Sequence, residues 1–170
     1  MKKYFSFIPL LILFACTYKN ETQYDKNGFA FTVPAGWEIT EEENVENGKG
    51  YSLSCEKSGW FQSGLVMVSW VNDSLPLEDM LDMLKEEYTK NWILQHASPV
   101  FKPYKEVTIK GKQGLMLEYT LNLATVSHWG KTYCFYGTGK TFFVLYQGAE
   151  EDNWKNDAGM EKIKETFIAR

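Results

Sequence analysis

The stretch Gly28-Phe29-Ala30-Phe31-Thr32-Val33-Pro34-Ala35-Gly36-Trp37 constrains the fold more than any other part of the chain. Phe29, Phe31 and Val33 alternate with Ala30 and Thr32, the two-residue period of a strand buried on at least one face. Pro34 cannot donate to a ladder, and Pro-Ala-Gly is a turn signal, so the strand ends there. Trp37 then opens a second strand, and the residues that follow are expected to complete the same sheet.

Residues 1–15 read as a delivery segment outside the fold. Lys2 and Lys3 give a positive start, and the apolar run from Tyr4 to Phe14 is far short of the roughly 20 residues that span a bilayer. The run ends in Leu13-Phe14-Ala15-Cys16, which resembles the lipobox of bacterial lipoproteins, with Phe14 bulkier than the usual residue at its position. The resemblance implies cleavage before Cys16 and a diacylglyceryl group on its sulfur. Two or three acyl chains hold a protein firmly to a membrane where one does not. Residues 16–26 then read as lipidated cysteine and flexible tether, and residues 27–170 as a single domain. The expected location is the cell envelope. Thr17 replaces the aspartate that marks inner-membrane retention in enteric bacteria, which favours the outer membrane.

Loss of residues 1–15 removes Lys2 and Lys3 and no acid, so the formal charge moves from −4 to −6. That argues against nucleic acid and against a basic patch gripping anionic lipid. The remaining 155 residues can bury about 68–70% of their unfolded surface, enough for one core. Cys55 and Cys134 both fall in predicted strands. An oxidising compartment would permit a disulfide between them, and two buried thiols is the other reading.

Along the chain, residues 37–40 read as a short strand and the acidic run 41–49 as a solvated loop. Tyr51, Leu53 and Cys55 alternate with serines, and 65–71 (LVMVSWV) is apolar on both faces, a strand covered on both sides. Ser74 reads as a helix N-cap with Pro76 in the first turn. Leu77, Met80, Leu81, Leu84, Tyr88 and Trp92 then make one helical stripe, and Glu86 and Lys90 form an i,i+4 pair on the opposite face. Hairpins are predicted around Lys110-Gly111-Lys112 and Gly137-Thr138-Gly139-Lys140. Between them, Leu115, Leu117, Tyr119, Leu121 and Leu123 share an apolar face. Met116, Glu118, Thr120 and Asn122 make the other face, which must be only partly covered. A last helix starts near Asn156-Asp157 with Met160, Ile163 and Phe167 inward.

These elements predict an α+β meander. It resembles the PsbP/Mog/DcrB-like superfamily through Gly28-Phe29-Ala30-Phe31, Pro34 and Gly36-Trp37, the strand 65–71 feeding the first helix, and the closing Lys162-Ile163-Lys164-Glu165-Thr166-Phe167. The resemblance implies a curved antiparallel sheet of about seven strands sandwiched by helices, in a bacterial envelope lipoprotein. Members of that superfamily share a shape and no common chemistry, so a fold is implied and no reaction.

His96 and His128 are the two histidines, and neither has an acid at ligand spacing, so no metal or cofactor is expected. Gly139-Lys140-Thr141 lacks the glycine-rich cradle and following helix of a phosphate loop and reads as a turn. Trp60, Phe61, His128 and Trp129 form the candidate surface for a ligand or partner, with Tyr133 nearby and core packing as the alternative. Asp73-Ser74-Leu75 resembles the O-glycosylation signal of Bacteroides-type envelope proteins, so Ser74 is either a cap or a sugar acceptor. The leading expectation is a non-enzymatic, membrane-anchored module that binds an unknown protein partner or helps assemble a complex. The rival is a small-ligand or glycan binder working through the loop aromatics.

Overall fold

The computed structural model describes residues 20–45, 48–59, 62–72, 74–91, 94–123 and 125–170. Cys16, Trp60 and Phe61 therefore lie outside the described residues. In chain order the elements are β1 (Thr22–Lys26), β2 (Phe29–Val33), β3 (Trp37–Val45), β4 (Gly50–Lys57), β5 (Leu65–Val71) and α1 (Leu77–Lys90). They continue with β6 (Val100–Phe101), β7 (Lys105–Ile109), β8 (Lys112–Leu123), β9 (Val126–Tyr136), β10 (Thr141–Ala149), α2 (Asn153–Thr166) and β11 (Ile168–Ala169). Eight strands form one antiparallel sheet in the order β3-β4-β5-β10-β9-β8-β6, with β7 also on the outer edge of β8. Among the described residues no helix is long and apolar enough to cross a membrane.

The opening strand does not join this sheet. It sits between β1 and β11 in a separate three-stranded sheet, so the motif that starts the fold becomes a lid on it. Asn27 and Gly28, with φ of 55° and 89°, make the two-residue turn between β1 and β2. Both angles are positive, as a type I′ hairpin requires, and Asn-Gly is the pair that adopts it most readily. Residues 22–26 are thereby a strand where a tether was expected. Their own pattern shows one inward residue, Tyr24, and the hydrogen bonds come from β2. The Pro34-Ala35-Gly36 turn does close as expected, with the Trp37 amide donating to Pro34 O at 3.1 Å.

The acidic run is likewise not a loop: β3 extends through Glu41, Glu42 and Glu43 to Val45. It is an edge strand with one neighbour, where exposed charges are tolerated and deter stray pairing. The register slips between Ile39 and Glu41, a bulge that adds twist. Ser74 is not the helix cap. Pro76 holds that place with no side-chain hydrogen bond, and Ser74 lies exposed two residues earlier. The predicted stripe holds where it is described: Leu81 and Tyr88 are buried, Leu77, Met80 and Leu84 half-buried, and Lys90 meets Glu86 at 2.8 Å. The second helix starts three residues earlier than expected and buries Asn156, Gly159, Met160 and Ile163.

The large sheet carries a core on each face. On one side lie α1 and the residues Leu117, Tyr119, Leu121, Cys134, Phe143 and Leu145. On the other lie the small sheet and α2, packed on Tyr51, Leu53, Cys55, Val66, Val68 and Val144. The helix approaches closely because Gly159 has no side chain; a Cβ there would stand 2.2 Å from Trp37 Nε1. Cys55 and Cys134 are free thiols in opposite cores, with β5 and β10 between their strands. The pair that the sequence allowed is not formed, because the two side chains leave the sheet in opposite directions. Burial pushes both thiols up to about 12. Thiol titration of the folded protein is therefore expected to leave Cys55 and Cys134 unmodified at neutral pH, both reacting once denaturant is added. Rapid labelling of either in the native state would contradict this core assignment.

Candidate functional site

On the small-sheet side, α2 crosses only part of the large sheet. Strands β7, β8 and β9 extend past it, so the face carried by Met116, Glu118, Thr120 and Asn122 is incompletely roofed, as the alternation in this segment predicts. The uncovered part is a groove. Its larger hollow, about 520 Å³, is floored by Val107, Ile109, Met116, Tyr133, Phe135 and Val144 and walled by Glu161, Lys164 and Glu165 of α2. A second hollow of about 250 Å³ continues from it past Trp129, Lys131 and Asp157. Tyr133, Tyr146, Glu161 and Lys164 belong to both. The larger volume lies within the range of small-molecule sites.

Cross-strand register explains why these side chains meet. Met116, Tyr133 and Val144 stand side by side on β8, β9 and β10, and Glu118, Lys131 and Tyr146 form the next row. Tyr133 and Tyr146 pack edge to face, ring centres 5.8 Å apart. Burial, with the carboxylates of Glu161 and Glu118 nearby, pushes the Tyr133 phenol up to about 12, so it stays a neutral donor at physiological pH. At the far end of the groove, the Lys110 ammonium donates to the Glu165 carbonyl and ties the β7–β8 turn to the end of α2. Lys164 holds Glu161 through both carboxylate oxygens at 2.8 Å.

The candidate surface read from the sequence is split by this arrangement. Trp129 lines the second hollow, and its indole N–H is shut off from solvent with no acceptor among the described residues. His128 is the preceding residue of the same strand and so projects from the opposite face. Its Nδ1 lies 3.0 Å from Val126 O, and it does not join Trp129. Ser74 lies before α1, away from the residues that line the groove. Gly139-Lys140-Thr141 is the hairpin turn expected, with the Lys140 ammonium 3.9 Å from the Trp70 ring centre. Lys131, Tyr146, Glu161 and Lys164 were not anticipated as site residues. The partly covered face of β8 was the signal that pointed towards them.

Several solved structures share this architecture. Cyanobacterial PsbP (CyanoP) from Synechocystis matches with a TM-score of 0.58 at 14% identity, over 88% of this chain and 92% of its own. LpqN of Mycobacterium tuberculosis, described as involved in cell envelope biogenesis, matches at 0.56 and 11% identity, over 87% and 89%. A protein of unknown function from Pseudomonas aeruginosa matches at 0.52 and 12% identity, over 88% and 97%. No protein-family model matches the sequence, and neither does any curated protein sequence. The fold is α+β and PsbP-like, and at these identities the likeness concerns the fold alone.

Proposed function

We propose that the chain is a non-enzymatic binding module of the bacterial cell envelope, moored by lipid on Cys16, with the groove beside α2 as its site. The observation that carries this is the groove itself: an apolar floor beneath a wall that carries the paired Glu161 and Lys164, in one concave place. The anchor rests on the leader and its Leu13-Phe14-Ala15-Cys16 ending, and the fold is one that a mycobacterial envelope-biogenesis protein also uses. Concavity favours a small ligand over a flat protein partner, since drug-sized molecules need enclosure on most sides.

Two measurements test the two halves. Mass spectrometry of the protein recovered from its own membranes is expected to find an acylated Cys16 at the N-terminus; an uncut leader or a bare thiol removes the anchor. The anionic dye 1-anilinonaphthalene-8-sulfonate, which fluoresces in apolar surroundings, is expected to brighten on the folded protein and to lose that signal in Met116→Trp, which fills the larger hollow. Equal signal in a folded Met116→Trp variant removes the groove as the site.

A further inference from the structure

We propose that the groove takes a long-chain fatty acid, its chain along the apolar floor and its carboxylate at Lys131. The inference rests on the groove being the binding site and adds the identity of the ligand class. Its starting point is the row Glu118, Lys131, Tyr146, which runs across three strands into the groove. Glu118 is the meeting point of three ammonium groups: Lys102 at 3.0 Å, Lys105 at 3.5 Å and Lys131 at 3.7 Å. One carboxylate cannot neutralise three cations, so the cluster round Glu118, which borders the second hollow through Lys131, keeps an excess of positive charge on a chain whose formal charge is −4. Lys131 is the member of the three that lines the second hollow.

The opposing charges narrow the choice of head group. Glu161 is already held by Lys164, whereas Asp157 also faces the second hollow. Set against Lys131 and the two lysines that flank the hollow without lining it, Lys102 and Lys105, Glu118 and Asp157 leave an excess of one positive charge, which suits a monoanion. Glu118 shows that these lysines gather round a carboxylate. The floor beyond Tyr133 is aliphatic and aromatic, and its volume is of small-molecule size, suited to a single chain and too small for a two-chain lipid. Charge-assisted contacts are the stronger class of hydrogen bond, so a carboxylate at this end is favoured over a neutral head.

The test uses the full chain carrying Cys16→Ser, so that no covalent acyl group competes, titrated by tryptophan fluorescence and calorimetry. The probes are oleate, monoolein and oleoyl-lysophosphatidylglycerol. Oleate is expected to bind about tenfold or more tighter than monoolein, the worth of a charge-assisted contact. Lys131→Gln is expected to weaken oleate by about tenfold and leave monoolein unchanged. Glu118→Gln is expected to tighten oleate, because the competing internal carboxylate is gone. Equal affinity for oleate and monoolein, or indifference to Lys131→Gln, overturns the proposal. Tighter binding of the lysophospholipid than of oleate assigns the end to phosphate and overturns the fatty acid. Dye that still binds the groove while none of the three lipids does would refute this inference and leave the binding-site reading standing.

Discussion

Replacing Phe29 with alanine is expected to lower the free energy of unfolding by about 4 kcal/mol, the middle of the range for a buried phenylalanine. Phe29 is fully buried and is the hub of the small sheet's packing. Its ring centre lies 5.4 Å from Tyr24, 5.9 Å from Tyr51 and 6.1 Å from both Phe31 and Phe167. The cavity left by truncation has little means of collapsing, because Tyr24 and Tyr51 are fixed to each other by a 3.0 Å hydroxyl contact. For a chain of this size the melting temperature should fall by about 8–16 °C. The effect should reach the groove as well. Phe167, which closes one end of it, packs on Phe29, Phe135 and Phe142, so its position depends on the small sheet. Urea unfolding with unchanged slope is the measurement, and a loss below about 1.5 kcal/mol would show that the lid contributes little.

The second large effect is expected from a single methyl group. Gly130 on β9 is paired with Tyr119 on β8, and a Cβ there would stand 2.0 Å from Tyr119 Cζ. Tyr119 cannot swing aside. Its hydroxyl donates to Gln147 Oε1 at 3.0 Å and lies 3.1 Å from the hydroxyl of Tyr88, which donates to the same oxygen at 2.6 Å. Gly130→Ala should therefore cost about 3 kcal/mol, since overpacking overrides the modest gain of alanine over glycine in a strand. The neighbours of Gly130 are Trp129 and Lys131, both on the groove face, so a shifted β9 should also weaken ligand binding. A double-mutant cycle separates the clash from any other cause. In a Tyr119→Leu background the same substitution should cost less than about 1 kcal/mol, and an unchanged cost would refute the steric account.

The elements that could be read from the residues are those whose periodicity is complete within one segment. The stripe of α1, the two later hairpins, the double-faced β5 and the two-sided β8 all carry their own pattern. The type I′ turn of β1 and β2 was written plainly in Asn27-Gly28, yet the strand before it shows a single inward residue and reads as tether. The acidic β3 fails for a related reason. A strand on a sheet edge needs few apolar residues, so its composition is that of a loop. His128 and Trp129 illustrate the matching error at the site, where neighbours in a strand look adjacent and face opposite ways.

By itself the sequence determined the α+β class, the order of most elements and the two faces of β8. These follow from local rules: side-chain periodicity and the restricted backbone of proline and glycine. Tertiary structure alone decided that β2 leaves the main sheet to pair with β1 and β11, that Cys55 and Cys134 stand in opposite cores, and that Glu118 gathers three lysines beside an aromatic groove. Those outcomes depend on which strands become neighbours and in what register, and that choice is made by burial over the whole chain.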